Sequence, residues 1–199
     1  MVRTFLSDMK QWDYRATALS VKATRYQLFE EALEKLLYEE WDAEHENILY
    51  PKKRMLISIL KNPELYSIVD QSGTPAKEDI TFILSQAICT SEMMYKKLEN
   101  KEWYRYKHTT ARHLAQLPAF SISDIVCGGG KGMINAASSL DGPSWRMIVH
   151  FTQPVEAWGI YHAGQSGNPG SRYYDQMTQE WAKGHYYRIR FLHQFNEGS

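Results

Sequence analysis

Between Val21 and Trp41 the apolar residues Val21, Leu28, Phe29, Ala32, Leu33, Leu36, Leu37 and Trp41 recur at three- and four-residue steps, with Glu30, Glu31, Glu34 and Lys35 between them. Such spacing gathers the apolar side chains on one face of a helical turn, so it predicts an amphipathic helix. Pro51 opens a shorter periodic run through Met55, Leu56, Ile59 and Leu60. Asn62-Pro63 closes it, because a proline disfavours helical backbone in the residue before it. Gln71-Ser72-Gly73-Thr74-Pro75 has turn chemistry, with Thr74 as an N-cap and Pro75 at the first helical position. The helix that follows is expected from about Pro75 to Asn100. Its stripe is Ile80, Ile83, Leu84, Ala87, Ile88, Met94, Tyr95 and Leu98, with Met93 and Met94 read as fillers of core gaps.

After Leu117-Pro118 the pattern changes. Glycines cluster at Gly128, Gly129, Gly130 and Gly132, and short β-branched and aromatic runs appear between turns. Strands are predicted at about Gly132 to Ala137, Trp145 to Thr152 and Val155 to Tyr161, the last two joined as an antiparallel hairpin around Gln153-Pro154. Ser171 is expected to cap a last helix with Tyr174, Met177 and Trp181 on its apolar side, ended by Gly184. The order places the chain in the α+β class: a helical segment over 1–117, then antiparallel strands and a carboxy-terminal helix over 118–199, packed as one domain. So thin a sheet leaves an edge open, and open edges are normally paired or shielded, so further strands are expected from elsewhere.

Composition narrows the partner class without naming one. The 199 residues carry 23 Lys plus Arg against 23 Asp plus Glu, so the net charge offers no electrostatic case for nucleic acid or an anionic membrane. No apolar stretch approaches the roughly 20 residues of a membrane span, and the amino terminus lacks an apolar signal core, so the chain as given is expected to be soluble and without an export address. The aromatic share of 13% suits a thick core or an intersubunit surface. Cys89 and Cys127 have no second Cys or His at ligand spacing and read as inert thiols, which leaves the redox compartment open. His108 and His113 are five residues apart, poor helical geometry for a shared metal, and no metal or other cofactor is expected.

The string Gly142-Pro143-Ser144-Trp145-Arg146-Met147-Ile148-Val149, followed by Gly164-Gln165-Ser166-Gly167-Asn168-Pro169-Gly170-Ser171-Arg172-Tyr173-Tyr174-Asp175, resembles the closing signature of penicillin acylases, which are N-terminal-nucleophile amide hydrolases. Trp181-Ala182-Lys183-Gly184-His185-Tyr186-Tyr187 is similar to that family's ending of its last helix, and Arg112-His113-Leu114, Leu117-Pro118-Ala119-Phe120 and Gly128-Gly129-Gly130 fall where it places such strings. The likeness is strongest over Trp103 to Phe191. It implies a fragment of an αββα fold, the carboxy-terminal part of a large subunit whose partners are the remainder of that subunit and a small subunit. It also implies cleavage of N-acyl substrates such as β-lactams or acyl-homoserine lactones, and favours a periplasmic or secreted setting. His162 and Ala163 stand where the family usually has proline and glycine, and His150 where it usually has a carboxylate. Those changes fall on a loop rim. Arg146, His162, Gln165 and Ser166 are the residues the resemblance offers for substrate contact; Gly164, Gly167, Asn168, Pro169, Ser171, Asp175 and Trp145 are its structural motif.

Read as physical chemistry, Gly164 to Ser171 supplies small residues for a sharp strand-to-helix connection, in which glycine permits positive φ and close backbone approach. The alternative is a ring of amide donors for a carboxylate at the start of the last helix. Arg146 is either in a structural ion pair, with Asp175 as the candidate partner, or a contact for a substrate carboxylate. Gly128-Gly129-Gly130-Lys131-Gly132 lacks the Gly-Lys-Ser/Thr ending of a phosphate loop and leads toward a predicted strand, so a turn or bulge is expected. The resemblance implies a nucleophilic serine whose own α-amino group acts as base, beginning the large subunit with Ser-Asn. No Ser-Asn dipeptide occurs in this sequence, so no catalytic residue is expected on the chain, which is read as an inactive piece of a longer acylase or a stand-alone module derived from one.

Overall fold

The computed structural model describes residues 1–44, 51, 53–66, 78–139 and 142–191. The chain divides into two compact units, one made of Met1–Arg15 and Ser20–Lys101, the other of Ala16–Leu19 and the residues from Glu102 onward.

The first unit is helical: α1 (Val2–Lys10), α2 (Val21–Glu44), α3 (Lys53–Lys61) and α4 (Ile80–Lys97). Its core joins Ala32, Leu33, Leu37 and Tyr38 of α2 to Leu56 and Ile59 of α3 and Ile83 and Ala87 of α4, largely the stripes read from the sequence. A single turn of 3₁₀ helix, Pro63–Leu65, follows α3 where the proline ends it. The start of α4 differs from expectation. Asp79 is extended and its carboxylate accepts the Phe82 amide, so Asp79 is the N-cap and the helix begins at Ile80. Thr74-Pro75 lies outside the described residues. Met93 and Met94 are exposed, not core fillers. At that level of α4 it is Ser91 and Glu92 that turn inward, because Glu92 grips Arg25 of α2 at 2.5 Å. Asp8 of α1 also pairs with Arg25, and the ion pairs raise the guanidinium's already high affinity for its proton.

In the second unit a five-residue helix, α5 (Trp103–Lys107), precedes a three-stranded antiparallel sheet ordered β1-β2-β3, with α6 (Thr178–Lys183) between its last two strands. β1 (Trp145–His150) pairs with β2 (Glu156–Tyr161) from Trp145↔Tyr161 to His150↔Glu156, which is the expected hairpin; its connection holds a cis Gln153-Pro154 bond. β3 (Tyr187–Ile189) pairs on the far side of β2. The strand predicted at Gly132 to Ala137 is absent: those residues turn, and Ile134 is fully exposed. Ala111, Ile125, Cys127, Ala137, Ile160, Met177 and Trp181 form the core. The described residues are therefore α+β, six helices and a small antiparallel sheet.

Candidate functional site

Trp145 and Arg146, adjacent on β1, point to opposite faces of the strand, as alternation requires. The Trp145 ring lies against Tyr161, with centroids 4.7 Å apart, and over Gly159, where a Cβ would come within 2.3 Å of it. Arg146 takes the inner face. Its guanidinium donates to the Trp181 carbonyl and to Asn135 Oδ1, both at 2.8 Å, and stacks 4.2 Å from the Trp181 ring centroid. The expected ion pair with Asp175 does not form. A neutral amide, a carbonyl and an indole face hold the cation instead, and burial lowers its pKa. Trp181 is itself fixed by its indole N–H, which donates to the Pro143 carbonyl at 2.9 Å. Pro143 and Arg146, within residues 142–149, are thus both tied to Trp181.

Gly164 to Ser171 is built by its own backbone. The amides of Gln165 and Ser166 both donate to the Tyr173 carbonyl, at 2.8 and 3.1 Å. The Asn168 amide donates to Ser166 Oγ, the Gly170 amide to Asn168 Oδ1, and the Tyr173 amide to Ser171 Oγ. Ser171 and Tyr174 close two further turns through the Asn168 and Ser171 carbonyls. Five amide donors of the loop, those of Gln165, Ser166, Asn168, Gly170 and Ser171, are therefore engaged within it and turned from an anion. None of its three glycines has positive φ. What demands glycine at 164 is close approach, since a Cβ there would lie 2.1 Å from the Tyr173 carbonyl oxygen. Gly167, by contrast, faces open space.

Ser171 does not cap the last helix. α6 starts seven residues later at Thr178, because Tyr174 and Thr178 close tight turns onto the Ser171 and Asp175 carbonyls and Met177 donates to the Ala163 carbonyl instead of to a helical ladder. His162 is half-buried with its ring edge-on to Trp181 at 6.2 Å, its Nδ1 unpartnered and its carbonyl accepting the Thr178 hydroxyl. Gln165 is exposed and Ser166 half-buried. Pro169 and Asp175 line a hollow of about 650 Å³ shared with Phe120 and Ser121, and Tyr174 reaches across to the Phe120 carbonyl at 2.5 Å. His150 sits at the exposed end of β1.

The glycine-rich turn is the inverse of a phosphate cradle. Lys107, buried at the end of α5, aims its ammonium at the carbonyls of Cys127, Gly128 and Gly129, at 3.1, 2.9 and 3.1 Å, and lies 3.5 Å from the Cys127 sulfur. The Gly129 and Gly130 amides point away, to the Ala16 and Asn135 carbonyls. A loop that gathers carbonyls around a cation repels a phosphate. Sequence reasoning passed over Lys107 because a five-residue helix is too short to show a periodic face. Its one signal is the four-residue step from Trp103, whose ring it approaches to 5.8 Å. Among the described residues no cluster of His, Cys, Asp and Glu could hold a metal. His108 pairs with Asp124 at 2.6 Å, while His113 packs edge-on to Phe120.

Relatives place this architecture. The chain is 33% identical over 139 residues to an acyl-homoserine lactone acylase, QuiP, of Pseudomonas syringae pv. tomato, an alignment covering 60% of this chain and 17% of that protein. QuiP proteins of Pseudomonas syringae pv. syringae (30% over 139 residues, 60% of this chain and 17% of theirs) and Pseudomonas fluorescens (28% over 138 residues, 59% and 16%) are similar in the same way. The chain thus spans about a sixth of the length of the curated relatives it matches. The penicillin amidase family profile extends across both units, residues 2–195, and the chain belongs to that family.

Proposed function

We propose that the chain is the carboxy-terminal part of the large subunit of an amidohydrolase that cleaves N-acyl amides, with acyl-homoserine lactones as the first substrate class to test. Its role is to frame the enzyme, with the nucleophile and oxyanion donors residing on the remainder of the large subunit. The observation that carries this reading is the self-satisfied signature. Arg146 bonds to Asn135 and Trp181, Trp181 to Pro143, and the amides of Gln165, Ser166, Asn168, Gly170 and Ser171 bond within their own corner, as a framework does, instead of converging on an open reaction centre. Membership in the family and the likeness to acyl-homoserine lactone acylases support the reaction type. The exposed side chain of Gln165, with Ser166 and His162 behind it, forms the rim left for substrate contact; Arg146 belongs to the frame. β1 is the edge of the sheet, with Trp145, Met147 and Ile148 exposed along it, which supports a partner surface for the remaining subunit.

The test is complementation. The Pseudomonas syringae pv. tomato relative, deleted for the region this chain matches, is co-expressed with this chain, and homoserine lactone release from an N-acyl-homoserine lactone is measured. Activity is expected only from the pair. Turnover of that substrate, or of a chromogenic phenylacetyl anilide, by this chain alone would overturn the framing role.

A further inference from the structure

The segment just after α5 holds a hollow that the acylase signature does not use. Ala111 and Ile122 form an isolated antiparallel bridge, each donating its amide to the other's carbonyl at 2.9 and 3.0 Å. Both side chains face the core of the second unit. Alternation along the two short ribbons then sends Thr110, Arg112, Ser121 and Ser123 to the opposite face. All four line one cavity of about 490 Å³, with Ser139 and His108 on its wall. That volume is in the range of small-ligand sites, about 300–1,000 Å³.

Its chemistry is one-sided. Among the described lining residues Arg112 is the one permanent cation, and none is a carboxylate. Asp124, the acid beside it, is taken by His108 Nδ1. Among the described residues Arg112 has no hydrogen-bond or ion-pair partner, and the hydroxyls of Ser123 and Ser139 have none either. The more deeply set cations of the unit are engaged, Arg146 by Asn135 and Trp181 and Lys107 by three carbonyls, and Arg188 is held by Glu156. A guanidinium fork flanked by free hydroxyls matches the acceptor oxygens of an oxyanion.

The backbone points to the same place. Four non-glycine residues have positive φ among the described residues, and three of them, His108 at 52°, Gln116 at 55° and Asp124 at 54°, are here. Two line the hollow and the third holds one of those two. Left-handed backbone outside glycine is costly and clusters where a site needs it.

We propose that this hollow binds a small oxyanion-bearing ligand, a carboxylate or a phosphate, through Arg112 with Ser123 and Ser139 as supporting donors. The site is separate from Arg146 and Gly164 to Ser171 and does not depend on the amidohydrolase reading. Full chain is titrated with inorganic phosphate and, separately, with acetate, at ionic strength held constant with chloride. Magnetic resonance follows the Arg112 side-chain N–H and the amides of Thr110 and Ser123. Saturable shifts confined to these groups are expected with at least one anion; phosphate alone assigns a phosphate ligand, acetate alone a carboxylate, and both the shared chemistry. Arg112→Gln is expected to weaken binding at least about tenfold, the loss of a charge-assisted bond. Arg112→Lys, which keeps the charge without the fork, should weaken it less, and Arg105→Gln, an exposed arginine outside the hollow, not at all. Arg112 is exposed, so the variants keep the fold, which their unchanged spectra elsewhere will show. No saturable shift with either anion, or equal affinity in Arg112→Gln, overturns the proposal.

Discussion

The two units bury cations by opposite means. In the helical unit Arg25 is 7% exposed and bonded to Glu92, itself 5% exposed, and to Asp8, so each charge is answered by a charge. In the mixed unit Lys107 is as deeply buried and Arg146 half-buried, and both are held by carbonyls, an amide and an indole face without a carboxylate. An ion pair leaves a buried charge behind when one partner is removed. Neutral acceptors leave only unsatisfied dipoles, a smaller penalty. The contrast therefore fixes an order of sensitivity.

The largest effect is expected in the helical unit. Arg25→Met strands Glu92 as an uncompensated buried carboxylate and should cost about 3–5 kcal/mol by urea denaturation. The double variant Arg25→Met with Glu92→Leu should recover most of that loss, because it removes the stranded charge as well. A double variant as unstable as the single would show that stacking of the guanidinium over the Phe5 ring, not charge pairing, dominates.

Lys107→Met is the matching test in the mixed unit. It deprives three carbonyls of a donor but also relieves the desolvation of an ammonium, so a loss of about 1–3 kcal/mol is expected, below that of Arg25→Met. Hydrogen exchange at the Gly129 and Gly130 amides, which hold the turn to Ala16 and Asn135, should accelerate in the variant. A cost above that of Arg25→Met would break the ordering.

The same contrast governs what the sequence revealed. α2, α3 and most of α4 were legible because their apolar faces do the packing. Arg25 and Glu92 were not, since a periodic pattern reads every charge as outward-facing. The β1–β2 hairpin was legible from its two short runs about Gln153-Pro154. At 132–137 the apolar pair Met133-Ile134 after the glycines misled: Asn135 is occupied as an organiser, its carbonyl accepting the Gly130 amide and its side chain bonding Arg146 and the Gly128 carbonyl, which leaves no ladder for a strand. β3 escaped notice because three residues carry too little alternation. The acylase signature named the family, yet its spacing could not show that the loop amides are turned inward, which depends on bonds to Tyr173 across the corner.

The smallest effect divides the units by pH. Burial lowers the Lys107 pKa below 10.5, so as the pH rises from that lowered value toward 10.5 the unfolded chain holds more protons than the folded one, and this group adds stability with rising pH. Tyr26, Tyr38 and Tyr95 of the helical unit have pKa values raised above 10.0, chiefly by burial. Once the pH passes 10.0 the folded unit retains protons the unfolded chain has released, so these groups subtract stability as the pH climbs. Hydrogen-exchange protection followed from neutral pH to about 10.5, corrected for the intrinsic exchange rate, should therefore fall in α2 and α4 while the Lys107 contribution opposes the fall around the glycine-rich turn. Lys107→Met removes that opposition and Tyr38→Phe reduces the decline in α2. Equal alkaline loss in both units of the parent and of Lys107→Met would mean that the carbonyl cage stabilises the ammonium enough to cancel its desolvation, and that the neutral-acceptor solution is electrostatically as good as an ion pair.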